Sequence, residues 1–226
     1  MPRLYDVPPP GEAEDPERSM EVSQQRAESK IRDIALCNDF EYFFTWTIDP
    51  NLLDRYDPKA IYKKLRVFLS NAVSRKGFSY LIVPEYHKQK PGEDRPAIHM
   101  HGLCNLGQVA IERAKAKDGR CMTDKKGRPI FNMVDWKYGF STCIPLDENR
   151  ERTANYITKY ITKSNEKVFG KWYLHSRGLV TSPKIIPLLP ENYDLFRDDE
   201  KLKAHIQSEV EICSTLRLLS EEFPKT

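Results

Sequence analysis

The order in which strand-like and helix-like runs follow one another constrains this chain more than any other feature. Residues 41–48, EYFFTWTI, are dense in aromatic and β-branched side chains and end at Asp49-Pro50, the pattern of a strand entering a turn. Asp57 can cap a helix that starts at Pro58, because proline has no amide hydrogen to waste at that position. Ile61, Leu65, Phe68 and Leu69 then recur at helical spacing until Gly77 stops the helix. Residues 78–86 and 97–105 read as second and third strands, parted by the loop KQKPGEDRP. Residues 136–144 read as a further strand, 148–163 as a helix and 172–174 as a short edge, with one more helix over 21–36 before the first strand. Strands and helices in this order imply an α+β fold, a central antiparallel sheet with helices packed on one face.

The two ends differ from this middle. Residues 1–22 carry six acids against two bases and little to bury, so the expectation there is a disordered acidic leader. Residues 191–226 carry nine acids against five bases, and Leu202, Ile206, Val210, Cys213 and Leu216 at helical spacing predict a helical tail packed on the domain. The domain proper then spans 23–190. The whole chain has a net charge of only +3, but the middle alone has 29 bases against 18 acids. A basic centre suits a polyanion, because lysine and arginine displace counterions from phosphates; a lysine-rich solvated surface would look the same. Five scattered cysteines without a CxxC pair speak against a zinc finger or a disulfide scaffold and for a reducing compartment. With neither a secretory signal nor a long apolar run, the expected location is the cytoplasm, with no membrane partner.

His99-Met100-His101 lies inside the apolar run AIHMHGL. Residues two apart on a strand face the same way, about 6.6 Å apart, so two imidazoles can converge on one metal ion. Glu85 ends LIVPE on what would be the neighbouring strand and can add a carboxylate; His87 shares its face and is a rival ligand. Mixed imidazole and carboxylate ligation suits a divalent ion of the Mg2+ or Mn2+ kind.

The third pattern is a tandem repeat, Tyr156-Ile-Thr-Lys159 followed by Tyr160-Ile-Thr-Lys163. On a helix these two tyrosines and two lysines share one arc of about 100°, while Ala154, Ile157 and Ile161 lie roughly opposite. A phenol with a pKa near 10 is a poor nucleophile until positive charge stabilises its anion, which lysines one turn away supply. The alternative is a surface helix whose Tyr and Lys side chains merely pack on one another. The stretch 108–128 is a basic excursion, with Arg113, Lys115, Lys117, Arg120, Lys125, Lys126 and Arg128 as candidate DNA contacts or as a solvated loop.

Together these motifs resemble the HUH endonuclease superfamily, named for histidine–hydrophobic–histidine, and within it the two-tyrosine rolling-circle replication initiators of small single-stranded DNA phages and related plasmids. The strand ending in Thr45-Trp46-Thr47, the His99-Met100-His101-Gly102 strand and the Tyr156, Lys159, Tyr160, Lys163 helix match that family's three motifs in order. The resemblance implies a ferredoxin- or RNA-recognition-like sheet with the histidine strand central. It also implies one divalent metal ion held by Glu85, His99 and His101, and nicking and rejoining of single-stranded origin DNA through a 5′-phosphotyrosine on Tyr156 or Tyr160. Lys159 and Lys163 would assist electrostatically. Origin DNA, single-stranded or supercoiled, and a host helicase and polymerase would be the partners, because the sequence has no phosphate-binding loop of its own. A relaxase or transposase of the same superfamily is the nearest alternative. A non-catalytic single-strand-binding protein, its tyrosines stacking on bases, is the alternative of another class.

Overall fold

The computed structural model describes residues 15–89, 95–162, 166–187 and 215–218. Helix α1 runs Pro16–Cys37, with the Asp15 side chain accepting a hydrogen bond from the Arg18 amide. This Asp-Pro start takes the helix five residues further back than expected, so the acidic segment is helical from residue 16; residues 1–14 lie outside the described residues. Strand β1 is Tyr42–Thr47 and α2 is Pro58–Lys76. Asp57 caps α2 by accepting from the amides of Lys59 and Ala60, a contact worth about 1 kcal/mol. Gly77 closes it in the left-handed region at φ 67°. Strands β2 (Ser79–Tyr86) and β3 (Ile98–Asn105) follow, then β4 (Ile111–Arg113), β5 (Phe131–Met133) and β6 (Ser141–Pro145). Helix α3 spans Arg150–Thr162, with the Asn149 side chain accepting from the Arg152 amide, and β7 is Leu174–His175.

Seven antiparallel strands form one open sheet in the order β4-β5-β6-β1-β3-β2-β7. The histidine-bearing β3 therefore lies inside the sheet, between β1 and β2. The α+β class and the antiparallel sheet are as the sequence implies. The helices, however, divide between the two faces. Helices α1 and α3 cover one face through a cluster that includes Ile31, Ile34, Leu81, Val83, Leu103 and Ile157. Helix α2 covers the other, where Ile61, Leu65 and Leu69 meet Phe44, Trp46, Ile82 and Met100. The strands are apolar at consecutive positions, Ile82 and Val83 among them, so both faces must be shielded from water.

Two local expectations differ from the structure. Trp136 is not in a strand; its indole is buried, stacks on Trp46 at 4.6 Å and donates to the Thr47 carbonyl, so the strand begins only at Ser141. Strands β4 and β5, three residues each, are too short to show periodicity in sequence.

The chain divides into two units after Leu179. The second contains β8 (Lys184–Pro187), paired antiparallel with β9 (Thr215–Leu218). The end of the expected C-terminal helix is thus strand, its backbone groups satisfied by the partner KIIP; the rest of that helix, 198–214, lies outside the described residues. Among the described residues no helix is long and apolar enough to cross a membrane.

Candidate metal centre and its tyrosine helix

The register of three strands assembles the site. Glu85 of β2 pairs directly with His99 of β3, and His101 pairs with Thr45 of β1 and Val83 of β2. Directly opposed residues in an antiparallel pair share a face, so Glu85, His99, His101 and Thr45 all point to the side covered by α1 and α3. One ligand atom from each of Glu85, His99 and His101 lies within 4.8 Å of the others. Glu85 and His101 are 5% and 7% exposed, which makes them the buried charge and imidazole of an otherwise apolar layer. Ionisable groups are placed there only with partners.

His101 Nε2 is 3.0 Å from Glu85 Oε1, and His101 Nδ1 is 3.1 Å from the Thr45 hydroxyl. With the proton on Nδ1 the ring donates to the Thr45 hydroxyl, which fixes its plane and leaves the Nε2 lone pair, beside Glu85, open to an ion. His87, the rival ligand, is not in the group of three. Its Nδ1 is 3.0 Å from the Lys88 carbonyl oxygen and its ring packs on His99 with centroids 4.4 Å apart. The donor set that does converge, two imidazoles and one carboxylate, fits a six-coordinate divalent ion with positions left for oxygens of water or substrate.

Over this group α3 lays its tyrosines. Tyr160 stacks on His101 with centroids 3.7 Å apart and an interplanar angle of 13°, and its hydroxyl donates to that of Tyr156 at 2.8 Å. Phe43, on the same face of β1, fills the corner, with its ring 5.0 Å from Tyr156 and 6.1 Å from His101. The two phenols differ sharply in access: Tyr156 is 46% exposed and Tyr160 only 7%. The helical arc therefore does not stand wholly in solvent as its charge suggests; Tyr160, at the arc's edge next to Ile157, turns onto the sheet. Burial first, and then the hydrogen bond and charge of Tyr156 and the charge of Glu85, push the Tyr160 phenol far above its ordinary value. Lys159 is exposed beside Tyr156. Lys163 lies outside the described residues.

No local pattern singles out Thr45 as a partner of His101, or Phe43 as the floor beneath Tyr156. The signal that could have found both is the two-residue alternation of YFFTWT, once β1 is aligned against β3. Of the seven bases of the excursion, Arg113 ends β4 and the other six lie between β4 and β5, at the sheet edge far from β7 in strand order. There Arg120 pairs with Asp118 and Arg128 with Asp124, Arg113 lies over the Phe131 ring, and backbone bridges at Lys115–Cys121 and Thr123–Pro129 make the segment a ladder-like extension of the hairpin. None of the seven is brought into the Glu85–His99–His101 group.

Residues 41–165 match the family model for replication-associated protein ORF2/G2P. No curated protein and no solved structure matches the chain.

Proposed function

The chain belongs to the replication-associated protein ORF2/G2P family of rolling-circle replication initiators, and from that footing we propose that it nicks and rejoins single-stranded origin DNA through a covalent tyrosine intermediate. The observation that carries the reading is the two-histidine, one-carboxylate group directly beneath a pair of hydrogen-bonded tyrosines.

In this reading Glu85, His99 and His101 hold one divalent ion, Mg2+ or Mn2+, which supplies Lewis-acid polarisation of the scissile phosphate. The remaining work falls to the chain's own side chains. Thr45 holds the Nδ1 edge of the His101 ring, Nε2 faces the ion site beside Glu85, and Tyr160 presses on the ring's face. The Tyr156 oxygen accepts a hydrogen bond from Tyr160, and Lys159 adds positive charge beside it where charge develops during attack; Lys163 is assigned the same role. The tyrosine oxygen attacks phosphorus, the bond from phosphorus to the 3′ oxygen breaks, and that oxygen leaves as a 3′-hydroxyl after taking up a proton. A 5′-phosphotyrosine remains, and reversal of the same exchange with a new 3′-hydroxyl reseals the strand without ATP. The hydroxyl contact between Tyr156 and Tyr160 supports transfer at one centre by either phenol. A host helicase and polymerase would open and extend the nicked strand, in the cytoplasm of a bacterial cell.

The test is incubation of the full chain with single-stranded origin oligonucleotides and Mn2+ or Mg2+, resolved on a denaturing gel with and without EDTA. A protein–DNA adduct that needs the ion and is absent from the Tyr156→Phe/Tyr160→Phe double variant is the expected result. DNA binding with no adduct under any ion would leave a strand-binding module and sink the nuclease reading.

A further inference from the structure

The sheet face opposite the chelating group carries a second feature of its own. Between α2, the start of β2 and the segment 167–177 runs a groove of about 1410 Å3. That is larger than the roughly 300–1,000 Å3 of a small-molecule pocket. Six cations line it: Lys59, Lys63 and Arg66 on the α2 wall, and Lys167, Lys171 and Arg177 on the other. Among the described residues no acidic side chain lines it. On α2 the cations continue into Ser70 and Ser74 at spacings of three and four, a donor stripe about 22 Å long at 1.5 Å per residue.

Aromatic rings are interleaved with these charges. Tyr62 stands between the α2 cations with Arg66 5.9 Å from its ring centre, and it stacks on Phe169. Tyr173 and His175 stack on each other in the facing wall, and Tyr80 belongs to the floor. All are at least partly exposed. Cations that follow a track, with rings set among them, are what a nucleic acid single strand requires: phosphates meet the charges and unstacked bases meet the rings. A duplex keeps its bases stacked and would leave the rings unused.

We propose that this groove binds single-stranded DNA flanking the nick, and that it, more than the β4–β5 excursion, holds the strand on the protein. The excursion offsets part of its charge with Asp118 and Asp124, whereas among the described residues no acid lines the groove. Position also favours it. Strand β2 carries Tyr80 at the groove and Glu85 at the chelating group, five residues or roughly 17 Å apart along the strand. A strand of a few nucleotides passing round the β7 edge reaches both, within the roughly 4–16 nucleotides of comparable grooves. The proposal rests on the DNA-binding role of the family, not on nicking.

The probe is fluorescein-labelled dT30, titrated with the full-length chain in EDTA and followed by anisotropy over a range of salt. Lys63→Glu/Arg66→Glu/Lys171→Glu should weaken binding at least tenfold at 100 mM salt and reduce the log–log salt slope by about 2, since each lost phosphate contact removes roughly 0.7. The milder triple glutamine variant should show a smaller loss in the same direction, which guards against misfolding of the first. Tyr62→Ala/Tyr173→Ala should weaken dT30 several-fold and leave duplex binding unchanged. Parent-like affinity and slope in both triple variants, or the whole loss appearing instead in Lys115→Glu/Lys117→Glu/Lys125→Glu, would overturn the assignment. So would a preference of the parent for duplex over dT30. Adduct formation on the parent is scored separately: its absence with groove-dependent binding removes the nuclease reading and keeps the groove, and the converse removes the groove alone.

Discussion

The Tyr160 ring lies flat against the His101 ring, 3.7 Å between centroids, and so turns a helix residue into the lid of an imidazole that two other side chains already hold. Two consequences can be measured. Tyr160→Phe keeps the stack and should cost less than about 1 kcal/mol of stability, whereas Tyr160→Ala removes it and should cost about 3 kcal/mol in denaturant unfolding.

The same arrangement separates the phenols in reactivity. Tyr156 is accessible and accepts a hydrogen bond; Tyr160 is buried and its proton is held tightly. In single-turnover cleavage of an origin oligonucleotide, Tyr156→Phe should therefore slow formation of the first adduct at least tenfold, and Tyr160→Phe by much less. The opposite ranking would make the buried phenol the first nucleophile and require α3 to move.

Divalent-ion binding should follow the carboxylate. By calorimetry with Mn2+, Glu85→Gln, which preserves shape but removes charge, should bind at least tenfold more weakly than the parent, and His99→Ala likewise. Thr45→Val should lose roughly tenfold through misorientation of His101 alone. In the parent, ion at a hundredfold excess over Kd should raise unfolding stability by about 2.7 kcal/mol, and Glu85→Gln should lose most of that increment.

Gly102, the residue after the second histidine, is required for packing. A Cβ built there would sit 2.3 Å from Phe44 Cζ and 2.7 Å from the Leu81 carbonyl oxygen, because the Phe44 ring lies across the glycine on the neighbouring strand. Gly102→Ala should destabilise by about 2–3 kcal/mol in urea unfolding, and Phe44→Leu in the same chain should recover part of it. Additive losses in the double variant would mean that the backbone contact, not the ring, sets the limit.

These residues also show where the sequence could and could not be read. The strands β1, β2 and β3 and helix α2 were legible because dense β-branched runs and the Asp57-Pro58 and Gly77 punctuation are local signals. The pairing of Glu85 with His99 was legible for a similar reason, a hairpin-like neighbourhood only fourteen residues apart. The coverage of both sheet faces, the burial of Trp136 under Trp46 and the lid made by Tyr160 were not, because each depends on contacts between segments distant in sequence. The groove beside α2 escaped for the same cause: its two walls are more than ninety residues apart, and neither is unusually basic alone.

Acid stability offers an independent check on the sheet edge. The Lys76 ammonium, 2.6 Å from Asp135, holds the Asp135 carboxyl below the usual carboxylate range; burial opposes it, and the Ala110 amide adds a lesser downward pull. A depressed carboxyl stabilises the fold above its unfolded value near 3.9 and loses that contribution as pH falls through its folded value. Asp135→Asn should thus cost about 1 kcal/mol at pH 7, and the gap between its melting temperature and the parent's should close below about pH 4.

Thr45, Glu85 and His101 come from three strands, with His101 fifty-six residues after Thr45 and sixteen after Glu85. Sliding β3 by one residue against either neighbour would swing both imidazoles to the α2 side and leave Glu85 and Thr45 behind. Ion affinity is therefore an assay of strand alignment: molecules trapped with a shifted sheet have no chelating group at all, so added ion would draw a refolding population toward the one alignment that can also position a tyrosine.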